Sequence, residues 1–116
     1  MKMNKLKEIS DLRKKSHATW LRKNSKVYKA FLDMEQSAFL DGALSKKYKE
    51  LIAIGISVVI NCESCMQWHI EQAVQCGATS QELLEAIEVG IEMGGGPATA
   101  YARFALAVIE SLRITI

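Results

Sequence analysis

The stretch that decides the fold is residues 45–77, which read SKKYKELIAIGISVVINCESCMQWHIEQAVQCG. The run from Leu51 to Ile60 is rich in isoleucine and valine, so by β-propensity alone it could be a buried strand. The polar residues 46–50 that precede it, and the length of the run that follows Ser45, favour a helix instead. We therefore predict a helix from Ser45 to about Ile60, with a second helix directly after it.

The rest of the chain also has the pattern of helices separated by short breaks, with no segment that alternates with a period of two. The first predicted helix runs from about Lys5 to Leu21, and the second from a cap at Asn24 or Ser25 to Asp41-Gly42. The third runs from Ser45 to about Ile60, and the fourth from near Cys62 to Gly77. The fifth runs from a capping box at Thr79–Glu82 to a break at Gly94-Gly95-Gly96, and the sixth begins at Pro97. The sequence therefore predicts an all-α fold, a bundle of about six helices.

The length and the composition set the class of protein. The chain has 116 residues, of which 49% are hydrophobic and 24% charged. This length supports one hydrophobic core, and the mixture is ordinary for a globular domain, so a disordered or collagen-like chain is excluded. No run approaches the roughly 20 apolar residues of a membrane span. The N-terminal segment Met1–Lys5 is followed by further charged residues, and not by the apolar run of roughly 7–15 residues that a signal peptide has. We expect a single cytoplasmic domain over residues 1–116, with no membrane association.

The charge is distributed unevenly along the chain. Residues 1–26 carry nine Lys or Arg against Glu8 and Asp11, a net charge of +7, whereas the remaining residues carry six against eleven acidic residues, a net charge of −5. A basic segment of this kind can bind nucleic acid, but here no aromatic residues are interleaved with the basic ones as nucleic-acid binding requires. We expect no nucleic-acid partner, and interpret the segment as a solvated helix face or as an arm that lies on an acidic neighbouring subunit.

The motif Cys-x-x-Cys-x-x-x-His carries the chemistry of the sequence. Its residues share one face of the predicted helix with Met66, because the four positions are i, i+3, i+4 and i+7. Cys62 lies at the helix start, where unpaired N–H groups and the helix dipole stabilise a thiolate. His69 follows Cys65 by one turn and can act as its proton acceptor. The pattern predicts a dithiol beside a base, able to close a disulfide if the first turn is irregular.

Glu50 and a metal site are open questions at this point. Glu50 precedes an apolar helix, so its carboxylate either reaches out to solvent or faces the dithiol and orients His69. Cys62, Cys65 and His69 could also supply three zinc ligands, with Glu50 as a fourth. Structural zinc sites more often draw ligands from two separate chain segments, and the sequence has no second Cys/His pair. We therefore predict no metal ligands and no cofactor.

The third cysteine has a different interpretation. Cys76 lies eleven residues beyond Cys65, about 16 Å along a helix axis, which is too far for a disulfide. We predict that it is a small core residue. Met66 and Met93 are predicted to fill the core as well.

A set of motifs resembles the carboxymuconolactone decarboxylase family, and within it the alkylhydroperoxidase D-like branch. The matching residues are Leu44-Ser45-x-Lys47-x-Lys49-Glu50-Leu51-Ile52, Asn61-Cys62-x-x-Cys65-x-x-x-His69, Ala73, Gly77-Ala78-Thr79, Glu82, Glu85-Ala86 and Gly94-Gly95-Gly96-Pro97. The motif-bearing core is residues 44–110, whereas residues 1–40 match only in being helical.

The resemblance implies a fold, an assembly and a reaction. It implies a helical domain that forms a homo-oligomer, commonly a trimer or a hexamer, with the dithiol helix at a subunit interface. It implies that Glu50 and His69 relay a proton to Cys65, which attacks a hydroperoxide and is then resolved by Cys62. An external dithiol or thiol-redox protein would reduce the resulting disulfide. The alternatives are a protein or small-molecule disulfide oxidoreductase that uses the same dithiol, and a non-catalytic metal-binding module.

Overall fold

The computed structural model describes residues 3–112, and over these residues the secondary structure is helical, without a strand. Six helices follow one another: α1 (Met3–Arg22), α2 (Lys26–Ala38), α3 (Lys46–Val59), α4 (Glu63–Gln75), α5 (Ser80–Gly94) and α6 (Gly96–Ser111). The prediction of an all-α domain with six helices is confirmed for this part of the chain. None of the helices in this range is both long and apolar enough to cross a bilayer.

Helix α3 is the centre of the fold, because it packs against α4, α5 and α6. Ser45 caps its start, with the side-chain oxygen accepting a hydrogen bond from the backbone N–H of Tyr48. Ile54 and Val58 are fully buried one turn apart, which is the burial pattern of a helix. Burial of each such side chain stabilises the fold by about 1.5–3 kcal/mol. The isoleucine-rich run is therefore helical, as predicted.

A pair of glycines brings α3 and α5 into close contact. A Cβ atom placed on Gly90 would lie 2.7 Å from the carbonyl oxygen of Gly55. A Cβ atom on Gly55 would lie 3.2 Å from the carbonyl oxygen of Ala86. Because a packed interior has no spare volume, larger residues at these positions would push the two helices apart.

The predicted capping box opens α5. The hydroxyl of Thr79 accepts a hydrogen bond from the N–H of Glu82 at 3.1 Å, and the carboxylate of Glu82 accepts one from the N–H of Thr79 at 2.8 Å. Lys47 of α3 adds an ion pair to the same carboxylate at 3.0 Å. These groups stabilise the ionised form, the Thr79 N–H most and Lys47 next, and so lower the pKa of Glu82.

The end of α2 differs from the prediction. The helix ends at Ala38, with Phe39 as its C-cap, and does not continue to Asp41-Gly42. The reason is that Asp41 serves the next helix: its carboxylate accepts a hydrogen bond from the N–H of Lys46 at 2.7 Å. Residues 39–45 therefore form a connection whose polar groups belong to the start of α3.

The glycine run between α5 and α6 interrupts the helical structure at one residue only. Gly94 is still helical, and Gly95 makes the break with φ of 75°, a conformation that favours glycine. Pro97 lies in the first turn of α6, where its missing N–H costs no helical hydrogen bond.

The hydrophobic core lies between α3, α4, α5 and α6. Its larger members are Ile54, Val58, Met66, Ile70, Leu83, Ile87, Phe104, Val108 and Ile109. Helix α6 turns the predicted Ala98, Ala102, Ala105 and Ile109 inward, and they are buried. Met66 is buried as predicted, but the prediction for Met93 is wrong. Its side chain is 71% exposed on the outer face of α5, because its helical position lies outside the buried stripe of that helix.

Helices α1 and α2 add little to this core. Among the described side chains of α1 only Leu6 is buried, and α2 has no buried residue. Leu12 and Trp20 of α1 are apolar as well, but they are 66% and 49% exposed. The contacts of α1 with α4 are largely polar: Arg13 donates to the side-chain oxygen of Gln67 at 2.9 Å.

Candidate functional site

The dithiol lies at the junction between α3 and α4. Cys62 is the N-cap of α4 and has an extended backbone, and its sulfur forms a disulfide with Cys65. The backbone N–H of Cys65 points at the Cys62 sulfur at 3.1 Å, and the N–H of Cys62 donates to the carbonyl oxygen of Ser57 at 3.0 Å. Because the N-cap residue is not itself helical, the two sulfurs can meet although their residues are only three positions apart.

His69 and Glu50 form a closely bonded pair behind the dithiol. His69 lies one turn beyond Cys65 on α4, and its Nδ1 atom is 2.6 Å from Oε1 of Glu50 on α3. Glu50 is 2% exposed, so it does not reach out to solvent. A carboxylate partner on Nδ1 fixes the orientation of the ring and leaves Nε2 for proton exchange. The packing of α3 on α4 thus brings Glu50 to His69, which lies one helical turn beyond Cys65.

Lys46 is a site residue that the sequence reasoning missed. Its ammonium group lies 3.4 Å from the second carboxylate oxygen of Glu50 and donates to the side-chain oxygen of Gln72 at 3.3 Å. A buried carboxylate is costly unless it is paired, so the ion pair with this lysine offsets part of the cost of burying Glu50. The signal in the sequence was the i, i+4 spacing of Lys46 and Glu50 on one helix.

Phe39 is the second residue that the sequence reasoning missed. Its ring stacks on the imidazole of His69 with the ring centroids 5.3 Å apart and the planes inclined by 21°. It covers one face of the imidazole, whose side chain is only 13% exposed. No pattern pointed to it, because the residue follows the end of α2 and not a position that the helical periodicity marks.

Cys76 is separate from the dithiol. It is the C-cap of α4 and carries a free thiol. It is half-buried beside the ammonium group of Lys46, 3.9 Å away, and is therefore not the core residue that we predicted. The C-cap position explains this, because the chain turns away from the core at Gly77, where φ is 89°.

The arrangement is suited to thiol chemistry with proton transfer. The disulfide engages both sulfurs, and Glu50 is engaged by His69 and Lys46. Within residues 3–112, no group of three or more His, Cys, Asp or Glu side chains is placed to hold a metal ion.

Comparison of the sequence with known families and proteins gives one consistent result. The sequence profile of the carboxymuconolactone decarboxylase family matches residues 25–108. A protein of Paracoccus denitrificans described as uncharacterized protein 4 in the cox locus is 40% identical over 91 residues, which cover 78% of this chain and 82% of that protein. An uncharacterized protein of Cupriavidus necator is 41% identical over 83 residues, which cover 72% of this chain and 74% of that protein.

Comparison with solved structures agrees. A carboxymuconolactone decarboxylase family protein from Legionella pneumophila superposes with a TM-score of 0.88 at 35% identity, over 93% of this chain and 96% of that one. A family protein from Thermotoga maritima, with a suggested involvement in the antioxidative response, superposes with a TM-score of 0.83 at 26% identity, over 91% of this chain and 90% of that one.

Proposed function

Because the chain belongs to the carboxymuconolactone decarboxylase family, we propose that it is a thiol-dependent peroxidase of the alkylhydroperoxidase D-like type, which reduces hydroperoxides with the Cys62–Cys65 dithiol. The observation that carries this proposal is the buried Glu50–His69 pair one helical turn from the dithiol. A structural disulfide would not need a base held in this way. The suggested antioxidative role of the Thermotoga relative supports the same class of reaction.

The first step consumes the peroxide. His69 takes the proton of the Cys65 thiol through Nε2, and the thiolate attacks the terminal oxygen of the hydroperoxide. A sulfur–oxygen bond forms as the oxygen–oxygen bond breaks, and the leaving alkoxide takes the proton from His69 to become an alcohol. Cys65 is then a sulfenic acid, oxidised by two electrons.

The second step closes the disulfide. The Cys62 thiol gives up its proton and its sulfur attacks the sulfur of Cys65, so that a sulfur–sulfur bond forms as the sulfur–oxygen bond breaks. The sulfenic oxygen leaves with that proton as water. The position of Cys62 at the N-cap supports this role, because the N–H of Cys65 points at its sulfur and stabilises negative charge there. An external dithiol, or a thiol-redox protein, then supplies two electrons and is itself oxidised to a disulfide.

Lys46 and Phe39 are positioning residues in this scheme. Lys46 holds the carboxylate of Glu50 through an ion pair, and that carboxylate faces the imidazole of His69, where a positive charge forms when His69 accepts a proton. Phe39 covers the ring of His69, which lowers the local dielectric and strengthens the attraction between the two charges.

Thiol alkylation followed by intact-mass measurement tests the proposal. Reduced protein is treated with one equivalent of tert-butyl hydroperoxide, and the thiols are then alkylated after unfolding. We expect rapid loss of two alkylatable thiols per chain, with Cys76 still reactive. Cys62→Ser should accumulate a sulfenic acid on Cys65 that dimedone traps, whereas Cys65→Ser should react no faster than a free thiol. Cys76→Ser is the matched control and should react like the wild type.

Oxidation of the wild-type dithiol at the rate of free cysteine would contradict the peroxidase proposal. The disulfide oxidoreductase alternative would then take its place, and the N-cap position of Cys62 favours it, because a stabilised thiolate is also a good leaving group in disulfide exchange. Rates with a hydroperoxide and with a model disulfide, measured on the same preparation, distinguish the two functions.

A further inference from the structure

The outer side of α2 is an apolar stripe without a partner in its own chain. Val27, Phe31 and Met34 lie at i, i+4 and i+7 and are 81%, 52% and 61% exposed. No residue of α2 is buried, so this amphipathic helix gains little from folding against the described part of its own chain. We call these three residues the α2 stripe. Exposed apolar surface that is grouped in this way marks an interaction site.

A groove between α3 and α5 has the complementary shape. Its walls are Ile52 and Ile56 of α3 and Val89 and Met93 of α5, each more than 50% exposed. Its floor is made shallow and smooth by the close contact of the two helices at Gly55 and Gly90. We call this surface the α3–α5 groove. It has a volume of about 650 Å³.

The groove is long enough to receive the α2 stripe. The stripe runs from Val27 to Met34, seven residue steps or about 10 Å of helix at 1.5 Å per residue. The wall of the groove on α3 extends from Tyr48 to Val59, about 16 Å by the same measure. A helix that carries a ridge of large side chains packs into the groove between two others in this manner.

The charges around the two surfaces are opposite. Residues 5–38 carry nine Lys or Arg against four acidic residues, whereas α5 carries four Glu and no Lys or Arg. Glu88 and Glu92 are exposed on α5, each next in sequence to a wall residue of the groove, and Lys23 and Lys26 precede the α2 stripe. Within residues 3–112, none of these four side chains takes part in a salt bridge, so all of them are available to a partner.

We propose that the α2 stripe of one chain packs into the α3–α5 groove of a second copy, with Lys23 and Lys26 facing Glu88 and Glu92. A second copy is the occupant that the observations favour, because this one chain carries both an apolar basic surface and an apolar acidic groove. The two surfaces are different, so the contact is heterologous unless a two-fold axis repeats it, and repeated heterologous contacts close into rings.

Sedimentation of the full-length chain tests this pairing, with the apolar contact examined first. The wild type should form a defined oligomer in the micromolar range. Phe31→Asp in the α2 stripe and Met93→Asp in the groove should each shift it to monomer, because a charge would be buried without a partner. Leu12→Asp, at an exposed leucine outside both surfaces, is the matched control and should leave the oligomer intact. Circular dichroism melting curves confirm that each variant is folded.

A charge exchange then tests which surfaces meet. Lys23→Glu/Lys26→Glu and Glu88→Lys/Glu92→Lys should each raise the dissociation constant about tenfold, since like charges would face each other. The variant with all four substitutions should return close to the wild-type value. An equimolar mixture of the two double variants should form a mixed complex, because the reversed face of one chain then matches the reversed face of the other.

Three outcomes would overturn the proposal. They are a monomeric wild type, a Phe31→Asp variant that assembles normally, and a charge exchange that does not restore assembly. Co-sedimentation of a monomeric wild type with vesicles of phosphatidylcholine and phosphatidylserine would assign the α2 stripe to a membrane surface instead. The proposal does not depend on the thiol chemistry, because assembly is measured without peroxide and in both the reduced and the oxidised form.

Discussion

Two regions of the molecule, the helix pair α3–α4 and the helix pair α1–α2, differ in which residues depart from the ordinary pattern of burial. In the first region Glu50, Ser57 and Gln67 are buried although they are polar. In the second region Phe31 and Met34 are exposed although they are apolar. A buried polar group needs specific partners and therefore marks chemistry. An exposed apolar group needs a surface to cover it and therefore marks contact. The residues that depart from the ordinary rule of burial thus mark two kinds of surface, the candidate site between α3 and α4 and the apolar surface of α2. Helix α3 takes part in both kinds, because its Ile52 and Ile56 are exposed on the side of the α3–α5 groove.

The first prediction tests whether the two regions differ in their contribution to the stability of one chain. Ile54→Ala removes a fully buried side chain from α3 and should lower the free energy of unfolding by about 2–5 kcal/mol. Phe31→Ala on α2, where the ring is half exposed, should change it by no more than about 0.5 kcal/mol in a monomeric background. Urea denaturation of both variants in the Met93→Asp background measures the difference. Equal losses would mean that α2 belongs to the core.

The second prediction concerns the reactive region. Glu50→Gln keeps the shape of the side chain but removes the charge that stabilises protonated His69, so the rate of peroxide-driven oxidation should fall by about 10²-fold. Stopped-flow measurement of the tryptophan fluorescence change on oxidation gives the rate. Glu63→Gln, in the first turn of α4 and ion-paired to Lys5 at the surface, is the control and should retain most of the activity. A full rate in Glu50→Gln would remove the relay from the mechanism.

The third prediction asks whether Lys46 acts through Glu50 or only supports the helix. Lys46→Met should slow oxidation about tenfold, since it removes one favourable charge interaction, and Lys46→Arg should restore most of the rate. Lys47→Met loses a comparable ion pair, but to Glu82 on α5, and should oxidise at the wild-type rate. Lys46→Met and Lys47→Met with equal rates would show that Lys46 has no positioning role.

The fourth and smallest effect concerns pH and lies outside both regions. The pKa of Glu82 is lowered from its ordinary value of 4.5 by the N–H of Thr79 and by Lys47. Its charged form therefore stabilises the folded chain above pH 4.5, and this contribution is lost as the pH falls through the lower folded-state pKa. Glu82→Gln should melt at a lower temperature than the wild type at pH 7, and the gap should close in acid. Glu110→Gln, exposed on α6 and outside both proposed surfaces, is the control and should show no such gap.

Most of the fold could be predicted from local signals in the sequence. The capping box at Thr79 and Glu82 and the cap at Ser45 are short-range patterns, and the structure contains both. The end of α2 could not be predicted, because Asp41 is equally suited to close one helix and to serve the next. Only the packing of the connection, which brings Asp41 to the N–H of Lys46, decides between these two uses.

The candidate site was predictable only where its residues lie on one helix. Cys62, Cys65 and His69 share a face of α4, so their spacing alone placed them together. Phe39 joins them from another element across a turn, and no periodicity relates it to His69. The prediction for Met93 was wrong for a different reason. Composition marks a methionine as a core residue, but the side of α5 on which it lies depends on the tertiary packing against α3.

The sulfur of Cys62 has a consequence that reaches beyond the reaction itself. In the proposed reaction, the atom that gains and loses electrons is the same atom that the N–H of Cys65 points at in the first turn of α4. The redox equilibrium of the dithiol and the capping of α4 therefore depend on the same sulfur atom. Any substitution that stabilises one redox form of this cap must shift the midpoint potential of the couple by the corresponding free energy. The start of α4 can thus be treated as the element that sets the reduction potential of the Cys62–Cys65 couple.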